Sequence, residues 1–179
     1  MNLFNQYNHK GFTLIETLFA ILIFSASLVS LMAIAGRGIA AANTAREQTV
    51  AHYLAQEGVE VVRNTRDTAF LNSGWDEDFT QCIESDPCHI DYQGGGVIPK
   101  LIQCSNATDG CQINESFDAY TNAVGTPTSY FRKVYVIPTG IPDSITGVYS
   151  EYQVISKISW KSKGVDRLVT MQTILKKWQ

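Results

Sequence analysis

The chain has 179 residues, a formal net charge of −3 and 45% hydrophobic side chains, which suffices for one domain of ordinary size and a membrane segment besides. A mildly acidic balance excludes the global basic footprint of a nucleic-acid-binding domain. The apolar residues are unevenly placed, with a continuous block before residue 40 and an ordinary water-soluble composition after it. That asymmetry predicts one anchor and one exposed head.

The first ten residues are polar and free of acidic side chains, and Lys10 is the positive side chain directly before the apolar block. The run from Thr17 to Gly36 carries no formal charge and has roughly the 20 residues that a helix needs to cross a bilayer. Glu16 stands at its start. An acidic side chain costs about +2.5 to +3.5 kcal/mol near a membrane centre, so a carboxylate here predicts a function and requires a partner. A secretory signal would have an apolar core of about 7 to 15 residues followed by a small-residue cleavage site. This run is longer, and its nearest imitation of such a site, Ser25-Ala26-Ser27, lies inside it. The segment reads as a retained helix with Lys10 on the cytoplasmic side and the head outside.

After Gly36-Arg37-Gly38, residues Ile39 to Asp67 read as a second helical stretch. Val50, Leu54, Val61 and Val62, with Tyr53 beside them, recur at helical spacing and predict one apolar face. No proline occurs between Met1 and Arg66, so anchor and amphipathic stretch can form one long helix, with the two glycines permitting a bend.

From Thr68 to about Gly125 the periodicity gives way to turn formers, namely Asn72-Ser73-Gly74, Gly94-Gly95-Gly96 and Asp109-Gly110. Cys82, Cys88, Cys104 and Cys111 all lie in this stretch, and four cysteines in an exported domain suggest disulfides of three possible connectivities. Proximity along the chain favours Cys82 with Cys88 and Cys104 with Cys111. A zinc site with His89 is the competing reading, and the spacings lack the paired C-x-x-C pattern of structural zinc. Alternation returns after Pro127: Tyr130 to Ile137, Tyr149 to Lys161 and Val165 to Leu175 predict three strands, with Lys163-Gly164 as a hairpin turn. The fold class is α+β, a long N-terminal helix packed through residues 50 to 62 on a small antiparallel sheet.

Lys10-Gly11-Phe12-Thr13-Leu14-Ile15-Glu16 resembles the cleavage and methylation motif of type IV pilins and type II secretion pseudopilins. Strong matching covers about residues 8 to 45. Beyond them Leu54-Ala55-Gln56-Glu57-Gly58-Val59-Glu60 and Gln172-Thr173-Ile174-Leu175-Lys176-Lys177-Trp178 look like minor pilins of the PilV or type II secretion I-type class. The resemblance implies cleavage between Gly11 and Phe12 by a membrane aspartic peptidase, N-methylation of Phe12, and assembly on an inner-membrane platform with other pilin subunits through Glu16. It divides the chain into a leader 1–11, a transmembrane and polymer-core helix 12–36, an amphipathic continuation 37–67 and an extracytoplasmic head 68–179, loop-rich to 126 and sheet from 127. The protein would start in the inner membrane and end in a pilus or pseudopilus filament. Small residues four apart, Ala26 with Ser30 and Gly36 with Ala40, suit close helix packing in that core. Retention of Glu16 argues against the terminal cap subunit of such filaments. The helix lacks the midway proline of many major pilins, and the cysteines precede the final sheet, so roles tied to a major pilin's terminal disulfide loop do not transfer.

The remaining signals are weaker. Asp76-Glu77-Asp78 reads as a solvated loop, because calcium needs six to eight spaced oxygens. Lys157, Lys161, Lys163, Arg167, Lys176 and Lys177 gather in the last hairpin; DNA uptake or adhesion is the alternative this raises, and protection of exposed strand edges is the favoured reading. Trp75, Trp160 and Trp178 read as core or interface aromatics. His9, His52 and His89 join no nucleophile and base grouping, so enzymatic activity and a cofactor are not expected.

Overall fold

The computed structural model describes residues 11–72, 81–82, 85–92, 99–104, 111–116, 119–121, 125–142, 144 and 149–176. Two compact units divide the chain, Met1–Ala45 and Arg46–Gln179. One helix, α1 at Leu14–Asn72, contributes residues to both. Helix continues through Gly36-Arg37-Gly38 and past Asp67, because a glycine weakens a helix by only about 1 kcal/mol and no proline removes a hydrogen bond from the ladder.

In the first unit the apolar side chains lie on the outside of the helix, Phe19 at 61%, Ile23 at 63% and Met32 at 74% exposure. Its hydroxyls turn inward to their own backbone. Ser25 donates to the Ile21 carbonyl at 2.7 Å, Ser27 to Ile23 at 2.8 Å and Ser30 to Ala26 at 2.9 Å. These hydroxyls are thus satisfied without water, as a segment in lipid requires.

In the second unit the helix buries a stripe of Ala51, Leu54, Ala55, Val59, Val62 and Ala69, at spacings of three and four. Val61 is buried beside it, whereas Tyr53 is 69% exposed. The apolar face therefore excludes Tyr53, which falls between the stripe positions on the far side of the helix. Gly58 belongs to the stripe for a steric reason: a Cβ there would overlap Ser156 Oγ and lie 3.0 Å from Ser156 Cβ. Helix and sheet approach closely at that point.

Among the described residues the sheet is antiparallel and has seven strands: β1 (Cys88–Asp91), β2 (Lys100–Gln103), β3 (Gln112–Ser116), β4 (Ala119–Thr121), β5 (Thr126–Pro142), β6 (Tyr149–Ser162) and β7 (Val165–Lys176). Strands β5, β6 and β7 form a meander, with Val134 opposite Ser156 and Ile158 opposite Val169. Lys163 and Gly164 both have positive φ, 50° and 80°, the geometry of a two-residue hairpin turn matched to strand twist. The inward residues Val134, Val136, Val154, Ile158, Trp160, Val169 and Leu175 are buried, and the helix stripe shares their two core clusters.

Strands β1 to β4 occupy the stretch that reads as loop in the sequence. They have three to five residues each, too few for a period-two pattern to stand out. Trp75, Asp76-Glu77-Asp78, Gly94-Gly95-Gly96, Asp109-Gly110, Lys177 and Trp178, together with His9 and Lys10, lie outside the described residues.

Candidate functional site

Gly11, Phe12 and Thr13 precede the helix and are exposed, Phe12 at 77%. Helix begins at Leu14, and Thr13 is its cap: the Glu16 amide donates to Thr13 Oγ1 at 3.4 Å and to the Thr13 carbonyl at 3.1 Å. Such a cap satisfies one of the amides left open at a helix start. Glu16 occupies the first turn, where a carboxylate is stabilised by the positive end of the helix dipole. Thr13-Leu14-Ile15-Glu16 is a capping-box sequence. The sequence thus held a signal for Thr13 that the charge argument on Glu16 alone overlooks.

In the second unit the polar centre is Arg132, whose side chain is 0% exposed although it carries a permanent charge. Its Nη1 donates to Glu57 Oε2 at 2.5 Å and to the Leu54 carbonyl at 3.4 Å. The Tyr92 hydroxyl donates to the other carboxylate oxygen, Glu57 Oε1. Burial and that hydrogen bond push the Tyr92 phenol up to about 12, while the charge of Arg132 pulls the other way. Burial also holds the His89 imidazole below its ordinary value, opposed by the Asp91 carboxylate and reinforced by Arg132. Both oxygens of Glu57 are engaged and the phenol stays protonated. The group therefore clamps α1, β5 and the end of β1 together. Sequence reasoning missed Arg132. The signal was its parity, shared with Val134 and Val136, which places it on the inward face of the strand.

Cys82 pairs with Cys88, and Cys104 with Cys111, so these four supply no thiolate to a metal. On the last hairpin, Lys176 Nζ lies 2.8 Å from Glu151 Oε1, Lys161 Nζ 3.7 Å from Asp166 Oδ1, and Lys157 Nζ 5.0 Å from the centre of the Tyr135 ring. Much of the basic patch is thus partnered within the sheet. Arg66 of α1 donates through Nη1 to the Lys176 carbonyl at 3.2 Å and ties the last strand to the helix.

Residues 7–33 match the family model of the prokaryotic N-terminal methylation motif. Searches of curated proteins and of solved structures returned no match. The matched segment contains Gly11, Phe12, Thr13 and Glu16 and runs into the exposed apolar part of α1. It supports a type IV pilin or pseudopilin family, whose role is structural, and with the apolar helix it is consistent with a single-pass, membrane-anchored precursor.

Proposed function

We propose that the protein is a minor pilin, a structural subunit of a type IV pilus-like or pseudopilus filament. A prepilin peptidase removes residues 1–11 by cutting between Gly11 and Phe12, Phe12 is N-methylated, and the helix from Phe12 enters the filament with residues 12–36 as polymer core. Residues 37–67 then continue the helix into the head, 68–179, which faces outside the inner membrane. Other pilin subunits and the inner-membrane assembly platform are its partners.

The observation that carries this reading is the capped helix start. The Gly11–Phe12 bond lies in an exposed, non-helical segment open to a peptidase, and Glu16 follows in the first turn of an exposed apolar helix. Cleavage turns Phe12 into a cationic amine. That amine sits at the positive end of its own helix dipole, where a cation is disfavoured and a carboxylate is favoured. A neighbour's Glu16 supplies the missing counter-charge, and in a dry polymer core either charge left alone costs several kcal/mol. Glu16 is thereby a docking and register device.

Glu16→Ala should leave cleavage intact and lower incorporation into filaments at least about tenfold, because the lost pairing exceeds 1.4 kcal/mol. Incorporation equal to that of the native chain would remove the charge-docking role.

A further inference from the structure

The long strand β5 has two edges. One is covered along its length by β6. The other is covered by β3 only as far as Phe131, opposite Gln112. Beyond that point three half-cystines take over in succession. The Arg132 amide donates to the Cys111 carbonyl at 2.9 Å, Val134 pairs with Cys88, and the Val136 amide donates to the Cys82 carbonyl at 2.6 Å. Among the described residues β1 pairs in register with β5 only at Cys88, and the next place along the edge, at Arg132, is taken by Cys111.

Both disulfides converge on the same point of the β1–β2 pair. Cys88 is the first residue of β1 and Cys104 directly follows the last residue of β2. The Cys104 amide donates to the Pro87 carbonyl at 2.9 Å across the pair. One bridge ties this end to Cys82 and the other to Cys111, the two residues whose carbonyls flank Cys88 on the edge of β5. Apart from that register pair, β1–β2 is held to the head by Ile90 and Leu101, which are buried in the core beside Val134 and Val136, and a two-stranded ribbon is marginal by itself.

We propose that oxidation of the two cysteine pairs is the step that seats β1–β2 on β5, closes the Arg132–Val136 edge and so brings Tyr92 to Glu57, leaving the β5–β6–β7 meander and its helix formed either way. The device is redox-sensitive and local. Each bridge forms when two thiols give two electrons and two protons to a disulfide-bearing oxidant, whose sulfurs leave as two thiols. In the reduced chain β5 keeps an open edge of Arg132-Lys133-Val134-Tyr135-Val136, rich in strand-forming residues and available to another strand. Completion of the head thus depends on an oxidising compartment, whatever filament the chain enters.

Hydrogen exchange of the full chain in detergent micelles tests this, before and after reduction with dithiothreitol and again after reoxidation. The variants Cys82→Ser/Cys88→Ser and Cys104→Ser/Cys111→Ser serve as a second route to the open state. The expected result is at least tenfold faster exchange at the amides of Arg132 and Val136 and across β1–β2 on reduction. Exchange in β6 and β7 should change less than twofold, and reoxidation should restore protection. Unchanged exchange at Arg132 and Val136 overturns the proposal. Loss of protection throughout the meander overturns it equally, since the bridges would then hold the whole head.

Discussion

The two units of this chain reverse each other's arrangement of polar and apolar groups. In the first, leucines, isoleucines and phenylalanines stand outside and hydroxyls fold back onto their own helix; in the second, valines are inside and a charged guanidinium is buried with them. The first arrangement suits a surrounding that is itself apolar, either lipid or neighbouring helices. The second suits water, where a buried charge persists only if it is paired and hydrogen-bonded. Charge is therefore costly in both units, and in each a carboxylate needs a partner. Glu57 has its partner within the head, whereas the partner proposed for Glu16 is on another subunit.

The largest effect that would break this contrast is in the head. Glu57→Ala leaves Arg132 buried without its counter-charge and should cost about 3 kcal/mol, the lower end for such pairs, because Glu57 is 28% exposed and water can partly replace it. Chemical denaturation of the full chain in micelles measures it. A loss below about 1 kcal/mol would place the pair among ordinary surface salt bridges. Cleavage at Gly11 should be unaffected, because that chemistry belongs to the other unit.

Next in size is Gly58→Ala. In an open helix this change stabilises by up to about 1 kcal/mol, yet here the new methyl meets Ser156, and overpacking of that kind costs about 1 to 3 kcal/mol. Adding Ser156→Gly should restore most of the loss; failure to do so would mean that another contact sets the helix-to-sheet distance. Thr13→Val is smaller again, about 1 kcal/mol for a lost cap. It should appear as faster hydrogen exchange confined to Leu14–Glu16, with head stability unchanged. A shift in head stability would show the units to be coupled.

The last effect is alkaline. Tyr92 binds its proton more tightly folded than unfolded, with the folded value near 12 against an ordinary value of about 10. Its contribution is complete below the unfolded value and is lost as pH climbs from there through the folded one. Tyr92→Phe should flatten the fall in head stability across that window. An identical fall in the variant would assign it to other groups, Tyr130 among them, whose phenol is also raised by burial and by Glu47.

The meander was legible in the sequence because its strands run to 17, 14 and 12 residues, long enough for alternation to show, and because Lys163-Gly164 marks the turn. Local cysteine pairing was legible from proximity. The β1–β4 strands were not, since each has only three to five residues, too few for alternation to show. Arg132 and Glu57 stand 75 residues apart, and nothing local announces such a pair. At the other end, Glu16 is conspicuous as a charge in an apolar run, while the signal for Thr13 is the quieter capping-box spacing to Glu16, whose amide uses the Thr13 hydroxyl.

The mass of the mature protein reports on the junction that Thr13 caps. Intact mass spectrometry of the chain from membranes or filaments should give an amino terminus at N-methylated Phe12 when prepilin peptidase is present. Without the peptidase it should give the uncut precursor. An amino terminus at Met1 in the presence of active peptidase would contradict the account.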